Sequence, residues 1–298
     1  MTEFLQLCFN GLSLGARYAL VALGFVIIYR ATGVINFAQG GLVAIGAYLT
    51  YAFANGANLP FALAVIVAVA CAGLVGAGIE RVVLRHMVGE PVFAVIMVTI
   101  GLLFIMEQAV TTIWGFDALN LADPWGVRTT EIGGIVMSVR DLWTLAIAAV
   151  IVGGFFAFFR YSKLGVAMRA TAFDAEAALA QGISARQVYA VSWAISAGLA
   201  ALAGVTLAAG AAALTPTIGA VALVAFPAMI VGGLDSPVGA VLGGLIIGLT
   251  QALTAGYQQD IAPWLGDNFA AVMPYVVMIL ILLVRPYGLF GTREVRRV

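Results

Sequence analysis

Charge is what this chain has least of. Of its 298 residues only 9% are Asp, Glu, Lys or Arg, with one lysine (Lys163), one histidine (His86) and two cysteines (Cys8 and Cys71). Soluble domains carry about 25% charged residues, so a water-soluble globule is excluded. Fourteen basic residues balance fourteen acidic ones, and no basic patch stands out to bind nucleic acid. The single lysine follows Ser162 rather than Gly, which excludes a P-loop, because that motif needs G-K-[ST] to reach nucleotide phosphates. His86 has no Cys or carboxylate cluster around it, so no metal site is expected. Cys8 and Cys71 lie far apart in apolar runs and read as small hydrophobes, not as a disulfide. No acidic pair within one embedded motif is placed for acid–base work, and the serines lack a nearby His. An enzyme has almost nothing to work with here.

What is present is apolar. Hydrophobic residues make up 63% of the chain, mean hydropathy is +1.09, and unbroken runs approach the roughly 20 residues that cross a bilayer as a helix. Nine such runs stand out: Asn10 to Tyr29, Val34 to Phe53, Pro60 to Ile79, Pro91 to Ile113, Leu142 to Phe159, Val188 to Ala209, Gly219 to Val231, Val238 to Leu253 and Ala270 to Val284. The expected fold is an all-α polytopic membrane bundle of about eight to ten transmembrane helices, one domain over 1–298. The second run, and the seventh and eighth, are candidates for broken or re-entrant elements. Met1-Thr2-Glu3-Phe4 lacks the basic start of a cleaved signal peptide, so the first span is expected to be kept.

Basic residues set the expected orientation. With the N-terminus outside and the C-terminus cytoplasmic, eleven of the fourteen fall inside: Arg30, Arg81, Arg85, Arg160, Lys163, Arg169, Arg186, Arg285, Arg293, Arg296 and Arg297. The stretch from Trp114 to Asp141, with its four acidic residues, becomes an outer loop suited to water or a soluble partner. Glycines four apart, Gly11 with Gly15 and Gly239 with Gly243, predict close helix packing.

Polar groups within spans are costly, about 2.5–3.5 kcal/mol for a charge at a helix centre. Arg17 and Glu107 are the two ionisable ones, expected to face the bundle interior and to pair; the plainer alternatives are snorkelling for Arg17 and a satisfied structural carboxylate for Glu107. Asn36 and Gln39, three apart beside Gly40-Gly41, share a helical face. They are candidates for handling a polar solute where backbone unwinds, or for holding the bundle together.

The stretch from Arg160 to Arg186 is longer than a linker requires. Helix formers fill Ala167 to Gln181, and Gly182 stands where a left-handed C-terminal cap falls. Ala172, Ala175, Ala178 and Leu179 form a small apolar ridge on the predicted helix. It suits a groove in a soluble protein better than a bilayer surface, since alanine inserts weakly. With no P-loop and no ladder of buried carboxylates, this loop is the expected port for energy from another chain.

Glu176-Ala177-Ala178-x-x-x-Gly182 resembles the EAA signature of ABC-importer permeases, although the I-x-L-P that often follows is absent. Four further stretches resemble the branched-chain amino acid (LIV-type) permease family: Gly11 to Tyr29, Gly33 to Tyr48, Val231 to Gly244 and Leu282 to Gly291, with Val191 to Leu207 fitting the span after the loop. Gln39 stands where many relatives of this type carry His, which bears on substrate. The resemblance implies an inner-membrane permease subunit of a bacterial importer for branched-chain or related amino acids. The alternatives are urea, amides or other small carboxylates as cargo, or a self-contained secondary transporter. Implied partners are a second related permease subunit, two ATP-binding subunits, a periplasmic solute-binding protein and membrane lipid. ATP would sit on the partner subunits, with no cofactor bound by this chain. Arg169, Glu176, Ala177, Ala178 and Gly182 would couple to the ATPase; Arg17, Asn36, Gln39 and Glu107 are candidates for the translocation path.

Overall fold

The computed structural model describes residues 2–121, 123–209, 213–266 and 268–292; Arg293, Arg296 and Arg297, counted above among the inner basic residues, lie outside them. Helices account for nearly all of it: α1 (Thr2–Thr32), α2 (Gln39–Tyr51), α3 (Phe61–Val82), α4 (Val92–Trp114), α5 (Val139–Tyr161), α6 (Lys163–Phe173), α7 (Ala175–Ala180), α8 (Ala185–Ala208), α9 (Val221–Gly232), α10 (Pro237–Ile261) and α11 (Phe269–Val284). Six of these, α1, α3, α4, α5, α8 and α10, are long and apolar enough to cross a membrane, with shorter apolar helices at 216–232 and at α11. The chain is an all-α multi-pass membrane protein.

Helix α1 is the hub. Its residues from Ala16 to Ile28 are buried almost without interruption, because α10, α8, α9 and α5 all pack against it. Small residues make the closest approach possible. A methyl group added at Gly11 would stand 2.9 Å from Leu249 Cα of α10, and one at Gly15 2.8 Å from Leu245 Cα. Gly239 and Gly243 do the same for α10 against α9, meeting Gly232 and Ala228. Without a hydrophobic drive in lipid, such contact is what holds helices together.

Two helices begin inside the bundle. Chain 33–38 runs non-helically from one end to Gln39, and 213–220 runs in from the other as a bridge at Leu214 and a 3₁₀ turn at Pro216–Ala220. The two meet where Gly40 and Gly219 touch backbone to backbone. From there α2 runs to the end where Asn55 bonds Asn120 O (3.2 Å) and continues as a π-helical turn at Ala52–Gly56. Helix α9 runs to the opposite, arginine-rich end.

Two of the stretches that carry the family resemblance, Val231 to Gly244 and Leu282 to Gly291, form one unit there. Leu289 N donates to Val231 O (2.9 Å) and Phe290 N to Gly232 O (3.0 Å), so the ending LLVRPYGLFG closes over the α9–α10 turn. Gly233 (φ +113°) and Gly288 (φ +76°) adopt the left-handed backbone this needs. At the other end, part of the 114–141 loop is a hairpin, β1 (Thr129–Ile132) with β2 (Ile135–Ser138), antiparallel and turned by Gly133-Gly134, both at positive φ. A type I′ turn favours such a pair.

Candidate functional site

The polar core of the molecule is the break before α2. Helix α1 stops at Thr32, whose hydroxyl turns back to Ile28 O (2.8 Å), and Gly33 follows at φ +71°. Asn36 then holds the chain in a turn: its Oδ1 accepts from Ala38 N (3.0 Å) and its backbone O from Gln39 N (3.3 Å). Its amide donates to Gln39 Oε1 (3.4 Å), so the two residues meet across the turn before α2 and not on the shared helical face their spacing predicts, because α2 begins only at Gln39. From α4, Thr99 Oγ1 accepts from Phe37 N (3.2 Å). From α8, Ser196 Oγ lies 2.9 Å from both Gln39 Oε1 and Gly24 O. One hydroxyl hydrogen serves only one of these acceptors at a time. Gln39 is fully buried, and among the described residues its Nε2 has no hydrogen-bond partner. A buried donor left unpaired costs about 1–3 kcal/mol. Gly24 is required here, since a methyl group would collide with the Gln39 amide.

A cavity of about 340 Å³ opens below this cluster, its polar lining Thr32, Asn36, Glu80, Glu90, Thr99 and Tyr189 set among apolar neighbours such as Trp193. Its volume falls in the range of small-molecule sites. Glu80 is buried yet forked by Arg85, through Nη2 to Oε2 (3.0 Å) and Nε to Oε1 (3.4 Å).

Arg17 and Glu107 do not pair. Helix α1 begins at Thr2 rather than near Asn10, which puts Arg17 at its middle, 9% exposed and in an ion pair with Asp141 at the start of α5. Ser13 Oγ donates to the same Asp141 oxygen (2.8 Å), and Arg140 Nε stands 3.6 Å from it. Asp141 captures Arg17 because α5 packs on α1 while α4 does not. Glu107 sits half-buried on α4, with no ion pair among the described residues.

The loop expected to carry one helix carries two. Asp174 ends α6 and begins α7, its backbone extended (φ −154°, ψ 103°) and its carboxylate accepting from Ala177 N (2.9 Å). Asp prefers this N-cap position over a helix interior, so the predicted Ala167–Gln181 helix breaks into an elbow. The apolar ridge breaks with it: Ala178 is buried while Leu179 is 54% exposed. Gly182 caps α7 as the sequence indicates, at φ +82°. Gly182 N donates to Leu179 O (2.9 Å) and Ile183 N to Ala178 O (3.0 Å), the Schellman pattern. Glu176 and Ala177 are exposed. Arg169 instead turns inward, donating to Arg160 O (3.3 Å).

Four residues of these sites carried no weight in the sequence reading: Asp141, Ser196, Glu80 and Phe173. Asp141 read as loop edge and Ser196 as one small residue among many. Glu80 had a signal, since it closes an apolar run five residues before Arg85. Phe173, at the elbow, is 94% exposed.

Residues 7–282 match the family described as branched-chain amino acid transport system / permease component. The chain is 33% identical to the high-affinity branched-chain amino acid transport system permease protein LivH of Salmonella typhimurium, over 99% of this chain and 98% of that protein. It is 32% identical to the permease protein BraD of Pseudomonas aeruginosa, over 99% and 98%. At 27%, over 91% and 88%, it is similar to a probable branched-chain amino acid permease, LivH, of Methanocaldococcus jannaschii. This chain belongs to the permease component family of branched-chain amino acid transport systems.

Proposed function

We propose that this chain is the inner-membrane permease subunit of an ABC importer for branched-chain or related amino acids. It works as one transmembrane domain, with the N-terminus outside and the arginine-rich end in the cytoplasm. It pairs with a second permease subunit and two ATP-binding subunits, which hold the ATP, and receives solute from a periplasmic binding protein on the hairpin side. The observation that carries this reading is the α6–α7 elbow. It lies beyond the ends of α5 and α8, and among the described residues nothing covers Phe173, 94% exposed, while Leu179 is half exposed. An exposed apolar pair on a short helical elbow is what a protein groove takes.

Nucleotide-driven movement of Glu176, Ala177, Ala178 and Gly182 would be carried through α6, with Arg169 midway along it, into α1 and α8. Reversing a two-state equilibrium from 1:99 to 99:1 takes about 5.5 kcal/mol, more than one small loop contact supplies without ATP. The path reads as the break before α2, where Asn36 and Gln39 present amides and the 340 Å³ cavity presents apolar walls for a branched side chain. Arg17 holds α5 to α1 beside this path, and Glu107 lies toward the outer half of α4.

Phe173→Ser tests the coupling claim. The substituted chain should enter the membrane normally and lose co-purifying ATPase together with uptake. Retention of a fully coupled ATPase would sink the docking assignment.

A further inference from the structure

A second cavity, about 760 Å³ and open to the outside, lies at the arginine-rich end between the last turns of α1 and α5, helix α6, and the start of α10. Arg30, Arg160 and Arg169 line it, against a single acid, Asp235. That acid is occupied: its carboxylate accepts from Thr292 N (3.2 and 3.3 Å) and from Thr292 Oγ1. Among the described residues none of the three arginines stands within ion-pair distance of a carboxylate. Arg30 and Arg169 both lie over the ring of Phe159, at 5.3 and 5.4 Å from its centroid. Arg169 Nη1 is buried without a hydrogen-bond partner. Three guanidinium groups drawn together around one carboxylate keep a net positive charge and repel one another, and their fork of donors matches phosphate oxygens.

We infer that this cavity binds the phosphodiester headgroup of an anionic phospholipid. Three features favour a lipid over a free phosphate. Arg30 and Arg160 sit in the last turns of the spanning helices α1 and α5, the level at which headgroups lie, and Arg169, midway along α6, reaches back to Arg160 O (3.3 Å). The cavity walls include Phe156, Phe159, Phe290 and Val238, apolar surface that a bare ion has no use for and an acyl chain does. The mouth is open rather than enclosed by protein. Basic pockets between transmembrane helices are the recognised form of such sites. Because Arg169 belongs to α6, a bound headgroup ties the elbow to α1 from behind. This inference concerns lipid and does not rest on the identity of the transported solute.

The test is native mass spectrometry of the full chain with equimolar phosphatidylglycerol and phosphatidylcholine of matched acyl chains. Phosphatidylglycerol should be retained preferentially, and Arg30→Gln and Arg169→Gln should each weaken that preference about fivefold. Equal retention of the two lipids, or an unchanged preference in the double variant, overturns the inference. Millimolar inorganic phosphate should leave the bound lipid in place; displacement at that concentration would assign the site to free phosphate instead. Should the variants fold poorly, the unaltered chain decides. Hydrogen exchange over Lys163–Phe173 should slow in phosphatidylglycerol nanodiscs relative to phosphatidylcholine, and identical exchange in the two overturns the assignment.

Discussion

Two polar clusters are built on α1, and they differ in kind. Around Arg17 the groups are charged: Asp141 takes the guanidinium, Ser13 donates to the same carboxylate oxygen, and Arg140 adds a second positive charge beside it. Around Gln39 nothing is charged, an amide nitrogen has no partner, and one serine hydrogen is divided between two acceptors. A closed ion pair holds two helices in register and resists change. A neutral cluster with a spare donor and alternative bonds rearranges at low cost, which is what a solute path through a membrane needs.

That contrast breaks most visibly at Asp141. Asp141→Ala strands a buried guanidinium and should destabilise the chain by about 3–5 kcal/mol, read as an early unfolding midpoint in mixed micelles. The double change Arg17→Met with Asp141→Leu should recover most of that loss; failure to recover would mean the pair does more than fasten α5. Gln39→Leu should behave in the opposite way. Ser196 keeps Gly24 O as an acceptor, so stability should fall by only about 1 kcal/mol. Uptake should fall about tenfold, the equivalent of roughly 1.4 kcal/mol of solute contact. Unchanged uptake would return Gln39 to the role of interhelical glue. Glu107→Gln gives the smallest effect, within about 0.5 kcal/mol of stability. Any change in uptake would then place that face of α4 along the path.

Legibility in the sequence followed the range of the interaction. Gly182 as a helix cap and the glycine pairs of α1 and α10 depend on neighbours a turn away, and both were readable; Asn36 and Gln39 meet, but across a turn and not on one helical face. The spans themselves were readable from composition. The partner of Arg17 was not, because Asp141 is 124 residues distant and no local pattern ties a loop-edge aspartate to mid-helix α1. Asp174 shows a failure of weighting: strong helix formers on both sides outweighed one residue whose side chain competes for the backbone. The hairpin was missed for a similar reason. Ile132-Gly133-Gly134-Ile135 is a turn signal, but it sat in a stretch read only for its charge. Ser196 and Glu80 acquired meaning only when α8 and α3 were brought against the start of α2.

The contact between Gly40 and Gly219 sets the first turns of two oppositely directed helices side by side inside the protein. The beginning of a helix carries about half a positive elementary charge, and here two such ends lie together at a pair of buried glycines. A sodium ion or a proton crossing at that level would move against their combined field, the device by which half-helices bar cations from other pores. A path opened beside that contact would therefore admit a neutral or zwitterionic solute more readily than a cation.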